Sequence, residues 1–452
     1  MQILKHTTSR SEEATMEPRL NTSSSEEDIF TDHYLILKTL GQGSFAGVKL
    51  ALHRHTAVPV AVKILEKDEN NASEVMSEVG IINALDHPNI IKLFHVIETR
   101  RQIYMVMEHA DWGDLTDYLE KVGCPLQEEE ARPIFTQMAC AVNYCHENAI
   151  AHSDIKLDNL LLDDRGHIKL CDFGLAIKVT AGQKFKGCYG TPAYCAPELF
   201  TAQEYDVLAS DIWSMGVVLY VLLTYTFPFE ADTFSQLKRK ILNPKLSIPC
   251  KLSPHIINLI RQLFTVNFRQ RPTIHDIMGH QWLKDSEELS KLPSSLEMSP
   301  SIPNRSIVLT MCDMGYNPKD IRDSLHEKKF DNIMATYLIL KHKSPQGYNT
   351  NCQNKPMQPA ATRTPAGPVT FTRHRRTTLL VKRQLYDDNE GSRKGIRSHS
   401  MPAILCCQQK GMDSSSSESS LEGSAESVGS VGGREADTVA CESTLPRRKR
   451  RK

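Results

Sequence analysis

The stretch HSDIKLDN at residues 152–159, followed by CDFG at residues 171–174, is the most informative part of this sequence. Phosphoryl transfer needs little covalent chemistry from a protein, but it needs a carboxylate beside the attacking hydroxyl and oxygen ligands for Mg²⁺. Asp154 would accept or orient the proton of that hydroxyl, and Lys156 would offset negative charge on the transferred phosphate. We therefore predict Asp154 and Lys156 as catalytic residues.

The same two stretches supply ligands for a divalent metal. Carboxylate and amide oxygens suit Mg²⁺ in phosphoryl-transfer sites, and Asp172 and Asn159 offer one of each. We predict Asn159 and Asp172 as metal ligands, with ATP and Mg²⁺ as the cofactors.

A glycine-rich turn and a lysine precede these stretches. LGQGSFAGV at residues 40–48 lies between two predicted strands, where small residues let backbone amides approach phosphate oxygens. A hairpin turn without a ligand has the same composition, so this signal is weak alone. Lys63 follows in VAVK, and Glu78 lies on a predicted helix. If Lys63 and Glu78 form a buried pair, Glu78 would orient the lysine toward a nucleotide. The alternative is that Lys63 is an ordinary surface residue.

Strands lead and helices follow along the chain. The runs YLILKTL from residue 34, GVKLAL from residue 47 and VPVAVKIL from residue 58 are apolar or β-branched and are separated by turns. Residues 74–85 and 133–148 have apolar positions at helical spacing. This order predicts an α+β fold with a small β-rich lobe, a larger helical lobe and a cleft between them.

Bulk composition excludes several classes of partner. The 452 residues include 54 basic and 54 acidic side chains, so no global field attracts nucleic acid or a membrane. The 12 cysteines are scattered without a CxxC pair, which favours reduced thiols. The opening lacks an apolar signal-peptide core, and the apolar run at 215–223 is too short to span a membrane. We expect a cytoplasmic monomer without nucleic-acid or membrane partners.

Composition also divides the chain into segments. Residues 1–33 are polar without a sustained period and predict a disordered arm, and residues 284–304 predict a proline-containing linker. Three amphipathic stretches in 305–342 predict a small three-helix module. Residues 343–452 are rich in Pro, Thr, Ser and Gly and predict a disordered tail. The tail ends in PRRKRRK, which suggests nuclear entry, although a solvated charge run is the commoner explanation.

The motifs resemble those of eukaryotic protein kinases of the calcium/calmodulin-dependent and AMP-activated group. HPNI at 87–90, APE at 196–198 and DIWSMG at 211–216 are further landmarks in the family's order. The resemblance implies a bilobal protein kinase fold over residues 34–283. It also implies a structural ion pair between Glu198 of the APE motif and Arg271.

The resemblance also implies the substrate class and the ATP-contacting residues. Lys156 within HxDxKxxN and Thr191 in GTPAY are similar to the serine/threonine branch, which implies Ser or Thr acceptors in protein substrates. It makes Met107 the gatekeeper residue and places Asp114 near the ribose. It implies a hydrophobic spine of Ile82, Leu93, His152 and Phe173. The implied ATP-contacting residues are Leu40, Gly41, Gln42, Gly43, Ser44, Phe45, Ala46, Gly47, Val48, Ala61, Lys63, Glu78, Met107, Glu108, Ala110 and Asp114.

The glycine-rich loop departs from the family pattern GxGxxGxV. Position 46 is alanine, and an additional glycine stands at position 47. If residue 46 required a positive φ, the alanine would cost about 1–2 kcal/mol. We expect ATP binding to be weakened at most.

A second departure concerns regulation. Ser153 replaces the arginine expected between His152 and Asp154, and Gly187 stands where relatives carry a phosphorylatable threonine. Because the arginine and the phosphorylatable threonine are both absent, no charge is left unpaired. This indicates that regulation by phosphorylation at this position was lost, and not that the enzyme is damaged. We expect a kinase that is not activated by phosphorylation at position 187. Thr180 and Thr191 remain as alternative phosphosites.

Three functional alternatives remain. The leading one is an active kinase, since Lys63, Asp154 and Asp172 are all present, and its rival is a pseudokinase. The third is a ubiquitin-binding adaptor, because residues 305–342, with MGY and MATYLIL, resemble the ubiquitin-associated domain of microtubule-affinity-regulating kinases. That module could instead dock within the chain as a support. Among kinases with this layout, the sequence is most similar to the sperm motility kinases.

Overall fold

The computed structural model describes residues 26–42, 46–67, 71–180, 182–187, 190–201, 204–284 and 303–344, all within one compact unit. The predicted arm up to residue 25, most of the predicted linker and the tail from residue 345, including its basic end, lie outside the described residues. Within the described residues, the chain forms a small β-rich lobe, a large helical lobe and three C-terminal helices.

The small lobe is a five-stranded antiparallel sheet with two helices. Its elements are α1 (Glu26–His33), β1 (Tyr34–Gln42), β2 (Ala46–His53), β3 (Val58–Glu66), α2 (Ala72–Ala84), β4 (Leu93–Glu98) and β5 (Gln102–Glu108). The strand order is β1-β2-β3-β5-β4, so β1 and β4 are the edges. Alternate residues such as Val60 and Val62 are buried against Phe94 and Val106, as expected for a strand with period two.

Helix α1 corrects one prediction from the sequence. Residues 1–33 were expected to be disordered as a whole, but Glu26–His33 form a helix. Phe30 is buried, and its ring stacks on Tyr34 and Tyr104 at centroid distances of 5.2 and 4.7 Å. Burial of this aromatic ring offsets part of the entropy lost on ordering the segment.

The large lobe is mainly helical and carries two short two-stranded antiparallel pairings, β6 with β9 and β7 with β8. Its elements are α3 (Leu115–Val122), α4 (Glu128–Glu147), β6 (Ile150–Ala151), β7 (Leu160–Leu162), β8 (Ile168–Leu170), β9 (Ile177–Lys178), α5 (Val207–Thr224), α6 (Phe234–Leu242), α7 (Pro254–Leu263), α8 (Ile274–Met278) and α9 (Gln281–Lys284).

Helix α5 is the core of the large lobe. By length and composition alone it could cross a membrane, but most of it is buried inside the protein. The apolar run at 215–223, too short by itself to span a membrane, lies within this buried helix. Gly216 allows close packing, because a Cβ there would lie 2.9 Å from the Cβ of Leu263.

A buried ion pair ties the segment before α5 to the segment before α8. Arg271 Nη1 and Nη2 donate to the two carboxylate oxygens of Glu198 at 2.7 and 2.9 Å. Both side chains are almost fully buried. This bidentate geometry compensates the desolvation of both charges. The pair implied by the resemblance is confirmed.

Three helices follow: α10 (Arg305–Asp313), α11 (Pro318–Glu327) and α12 (Asn332–Lys343). Each is preceded by a residue whose side chain accepts backbone N–H bonds at the helix start, namely Asn304, Asn317 and Asp331. Their shared core consists of Ile307, Met311, Ile321 and Tyr337.

These helices cover edge strand β4 of the small lobe. The backbone amide of Val96 donates to the carbonyl of Phe330 at 3.1 Å. Ile339 of α12 is fully buried in the same cluster as Phe94 and Ile97. An exposed strand edge is a template for unwanted pairing, so this cover also protects the sheet.

Candidate active site

The loop between β6 and β7 carries Asp154, and helix α5 holds that loop in place. Asp211 of α5 accepts hydrogen bonds from the backbone amides of His152 and Ser153, each at 2.9 Å. His146 Nε2 lies 2.9 Å from the same carboxylate. A buried helix therefore sets the path of the loop immediately before the predicted catalytic residue.

Four polar side chains, three from this loop and Thr191 from the segment after β9, converge on one another. Lys156 Nζ donates to Asp154 Oδ2 at 2.5 Å, and Asn159 Nδ2 donates to the same oxygen at 3.2 Å. Thr191 donates its hydroxyl to Asp154 Oδ1 at 2.9 Å. Lys156 Nζ also lies 3.1 Å from the Thr191 hydroxyl. The predicted catalytic pair and the predicted ligand Asn159 are thus brought together.

Lys63 joins the small lobe to the predicted metal ligand Asp172. Its Nζ lies 2.5 Å from Glu78 Oε1 and 2.8 Å from Asp172 Oδ1. Lys63 lies on strand β3 and Glu78 lies on helix α2, so the pair joins these two elements. The buried Lys63 and Glu78 pair expected from the sequence is present, so the lysine is not a surface residue.

These contacts keep the charges in place. Burial alone lowers the pKa of Lys63, but the carboxylates of Asp172 and Glu78 outweigh burial and raise that pKa above its ordinary value. In turn, Lys63 holds the pKa of Asp172 far below its ordinary range. Burial lowers the pKa of Lys156, and Asp154 outweighs it in the same way. Both lysines are therefore cationic and Asp172 is anionic at neutral pH.

Asn159 and Asp172 are suited to a divalent cation. Both hydrogen bonds of the Asn159 amide use its nitrogen, one to the Asp154 backbone carbonyl at 2.9 Å and one to the carboxylate. Its oxygen can therefore serve as a ligand, beside an ionised Asp172. Among the described residues, no group of three or more His, Cys, Asp or Glu side chains could hold a metal alone. Further oxygen ligands would have to come from phosphates or water.

The strands β1 and β2 frame the glycine-rich turn. Leu40 and Gly41 lie near the end of β1, which ends at Gln42, and Gly41 pairs with Val48. Gly43, Ser44 and Phe45 lie outside the described residues. The possible strain at residue 46 does not arise, because Ala46 begins β2, pairs with Leu65 and is not among the residues with positive φ.

Ala61, Met107 and the residues after it line the other side of the cleft. Ala61 on β3 pairs with Met107 on β5. Glu108 ends β5, and Ala110 follows it before α3. Asp114 caps α3, with its Oδ1 accepting the backbone amide of Asp117 at 2.9 Å.

The predicted ATP contact of Glu108 does not extend to its side chain, which is paired within the protein. Its Oε1 lies 2.7 Å from Lys169 Nζ, and both side chains are almost fully buried. His342 of α12 approaches the same oxygen at 3.7 Å. The side chain of Glu108 is therefore engaged within the protein and is not free to meet a nucleotide. The sequence did contain a signal, because Lys169 interrupts an apolar strand and a buried lysine needs a partner.

The predicted spine residues pack together. Ile82, Leu93 and Phe173 belong to one core cluster, and the rings of His152 and Phe173 meet edge to face at 4.9 Å. This packing joins α2 and β4 of the small lobe to the loops of the large lobe.

Comparison with known families identifies the chain. The model of the protein kinase domain matches residues 34–283. The chain belongs to the protein kinase family. The prediction of a bilobal kinase fold is thereby confirmed, and protein substrates follow from it. Use of ATP and a divalent metal is a general property of this domain.

The kinase is similar to several sperm motility kinases of Mus musculus. It is 38% identical to sperm motility kinase 2A over 392 residues, which covers 84% of this chain and 77% of the relative. It is 39% identical to sperm motility kinase 3A over 333 residues, or 74% of this chain and 66% of the relative. For sperm motility kinase 2B the identity is 39% over 345 residues, with 76% and 71% covered.

Proposed function

We propose that this kinase transfers the γ-phosphate of ATP to serine and threonine hydroxyls of protein substrates. The observation that carries the proposal is the Asp154 carboxylate held jointly by Lys156 and Thr191. This arrangement leaves a fixed carboxylate beside a fixed ammonium group, where an acceptor hydroxyl and a phosphate would meet.

Each polar residue then has a distinct role. Asp154 orients the acceptor hydroxyl and takes its proton, and Lys156 offsets charge that develops on the transferred group. Lys63, fixed by Glu78, binds nucleotide phosphates. Asn159 and Asp172 hold Mg²⁺, which when bound neutralises charge on the phosphates.

An active enzyme is favoured over a pseudokinase. A protein that only binds nucleotide has no need for an intact proton acceptor, yet Asp154, Lys63 and Asp172 are all present. Lys63 is also paired with Glu78 rather than displaced from it. These contacts support a competent geometry of the cleft.

For the C-terminal helices we propose intramolecular support in a ubiquitin-associated-like module. Tyr316, in the MGY sequence of this module, packs its ring against His55 of the small lobe at a centroid distance of 6.0 Å. Its hydroxyl lies 3.0 Å from Thr336 Oγ1. The tyrosine therefore serves contacts within the chain. Ubiquitin binding by an adaptor is the competing function, and titration of the whole protein with ubiquitin distinguishes the two.

We further propose membership of the calcium/calmodulin-dependent and AMP-activated group and a role in sperm. Similarity to the sperm motility kinases supports the role, and the residues quoted for the group support the membership. A cytoplasmic monomer remains our expectation.

Acceptor specificity tests the proposed reaction. Radiolabelled γ-phosphate transfer should be measured on three peptide libraries that differ only in a fixed Ser, Thr or Tyr acceptor. We expect labelling of the Ser and Thr libraries at ordinary kinase rates, about 1–100 s⁻¹ at saturation, and none of the Tyr library. Asp154→Asn is the control, and equal labelling by this variant would assign the activity to a contaminant.

A further inference from the structure

In the described part of the activation segment, residues 172–198, the charged anchor implied by the resemblance is absent. Ser153 has a buried hydroxyl with no hydrogen-bond partner among the described residues. Gly187 has no side chain, and its φ of 109° lies in the region that favours glycine. Neither residue can fix the segment through a phosphate. Another contact must therefore order it.

Tyr205 provides such a contact. Phe185 and Tyr205 form an isolated antiparallel bridge, with amide-to-carbonyl distances of 3.2 and 3.0 Å in the two directions. The Tyr205 hydroxyl donates to the carbonyl of Gly187 at 3.1 Å. The adjacent pair of Lys186 and Glu204 is 3.2 Å apart but largely exposed, so it contributes little.

The position of Tyr205 makes it a firm anchor. Its side chain is 1% exposed. The next residue, Asp206, caps helix α5 by accepting the backbone amide of Leu208 at 3.0 Å. The same buried helix carries Asp211, which holds the loop before Asp154. Helix α5 therefore fixes the catalytic loop through Asp211, and Tyr205, just before the helix cap, fixes the activation segment.

The segment reaches the catalytic residues shortly after this anchor. Gly190 packs so closely on the catalytic loop that a Cβ there would lie 2.7 Å from the carbonyl oxygen of Ser153. The backbone amide and the hydroxyl of Thr191 both donate to Asp154 Oδ1, at 3.1 and 2.9 Å. The path of the chain through Gly187 thus determines whether Thr191 meets Asp154.

We propose that Tyr205 is a positioning residue that orders the activation segment without phosphorylation. Its hydroxyl holds the Gly187 carbonyl at the position where relatives carry a phosphorylatable threonine. The proposal rests on the kinase activity proposed above and goes beyond it by assigning the residue that replaces the switch. Tyr205 acts through Thr191 on Asp154 and does not touch the substrate.

The variant Tyr205→Phe tests this role, because it removes one hydroxyl and keeps the ring and the backbone bridge. Loss of one buried hydrogen bond should lower kcat about 3- to 10-fold. The KM for ATP should stay unchanged, because the Lys63 and Glu78 pair is not involved. Amide hydrogen exchange in residues 182–187 should become faster. The protein must be treated with phosphatase and shown by intact mass to carry no phosphate.

Tyr220→Phe is the matched control. Tyr220 lies on α5, and its hydroxyl donates to the backbone carbonyl of Ser247 at 2.6 Å, in contacts unrelated to the activation segment. This variant should lose comparable thermal stability but keep its kcat and the exchange rates of residues 182–187.

Three results would overturn the proposal: an unchanged kcat in Tyr205→Phe, an equal fall in Tyr220→Phe, or unchanged exchange in residues 182–187. A wild-type protein that is inactive without phosphate but active after treatment with an upstream kinase would also overturn it. If the wild type transferred no phosphate under any condition, the proposed function would fail. The exchange comparison would still show whether Tyr205 orders the segment.

Discussion

Gly190 is the residue at which a single methyl group should be most damaging to the active site. Its φ is 89°, and an added Cβ would lie 2.7 Å from a backbone oxygen that cannot move aside without shifting the catalytic loop. We predict that Gly190→Ala displaces Thr191 from Asp154 and lowers kcat about 100-fold, as small misplacements of catalytic groups do. Steady-state kinetics with a peptide acceptor measure the effect.

The variant Gly182→Ala distinguishes the effect of the steric clash at position 190 from the effect of backbone strain. Gly182 also has a positive φ, 78°, but a Cβ there would meet no atom of the described residues within 4 Å. This variant should keep most of its activity. Equal losses of kcat in both variants would show that strain, not contact with the catalytic loop, is responsible.

Buried histidines should make the small lobe sensitive to acid. Burial lowers the pKa of His95 to about 3 and that of His53 to about 4, with neighbouring imidazoles adding to the effect. As the pH falls below the ordinary value of 6.5, the unfolded chain binds these protons first. The stability that the two residues contribute is therefore complete above about pH 6.5 and is lost as the pH falls toward 4, by up to about 1.4 kcal/mol per pH unit for each.

The variant His95→Gln should reduce that pH dependence. Between pH 6 and 4, we predict that the free energy of unfolding changes less steeply with pH in this variant than in the wild type. The difference in slope should be up to about 1.4 kcal/mol per pH unit, which corresponds to one bound proton. Urea denaturation at several pH values measures it. An unchanged slope would mean that His95 does not stay neutral in the folded protein.

At this scale the sequence predicted which residues meet, but not all of their partners. Asp154, Lys156 and Asn159 are neighbours in the chain, so a short motif carries their geometry. The pairs Glu108 with Lys169 and Gly187 with Tyr205 join residues far apart in sequence. No local period marks such pairs, which is why only the unusual position of Lys169 could have indicated one of them.

The stability of helix α1 depends on the burial of Phe30. Phe30 is its buried residue that stacks on Tyr34 and Tyr104. We predict that Phe30→Ala lowers the free energy of unfolding by about 3 kcal/mol, the usual cost of removing a buried phenyl ring. Urea denaturation measures this change. The exposed Asp32→Ala on the same helix should change it by less than about 0.5 kcal/mol, and equal effects would contradict the assignment.

Element boundaries show where sequence patterns stop being informative. The apolar spacing predicted a helix from residue 133, but α4 begins at Glu128. Its first turn is charged and is fixed by a capping box, in which Gln127 donates its backbone amide to Glu130 at 2.8 Å. In α1, similarly, the polar composition concealed a single aromatic anchor. Both cases depend on individual contacts rather than on periodicity.

On the scale of the whole molecule, the C-terminal helices and the small lobe share a core. Ile339 of α12 is fully buried among residues of the sheet. We predict that Ile339→Asp separates the helices from β4, because a buried carboxylate without a partner is costly. The measurement is hydrogen exchange of the Val96 amide, which donates to Phe330 and should exchange faster in the variant.

Leu309→Asp is the control for this interface. Leu309 lies on α10 and is 55% exposed. Its replacement should leave exchange at Val96 unchanged. Protection of Val96 in Ile339→Asp equal to that in the wild type would contradict docking of the helices on the sheet.

The overall architecture followed from the sequence because strands precede helices and the kinase motifs fall between them. The docking of α12 on β4 did not, since its apolar residues face two cores at once and the pattern does not say which. A helix packed on both sides carries little directional signal.

The central claim is that Asp154, Asn159 and Asp172 act around the terminal phosphate of one nucleotide, with separate roles. Calorimetric titration of ATP, with and without Mg²⁺, tests it on the wild type, Asp172→Asn and Asp154→Asn. We predict binding that Mg²⁺ strengthens in the wild type and in Asp154→Asn, and loss of that strengthening in Asp172→Asn. Wild-type protein that does not bind ATP in the presence of Mg²⁺, or an Asp154→Asn variant that loses the Mg²⁺ effect as fully as Asp172→Asn, would contradict it.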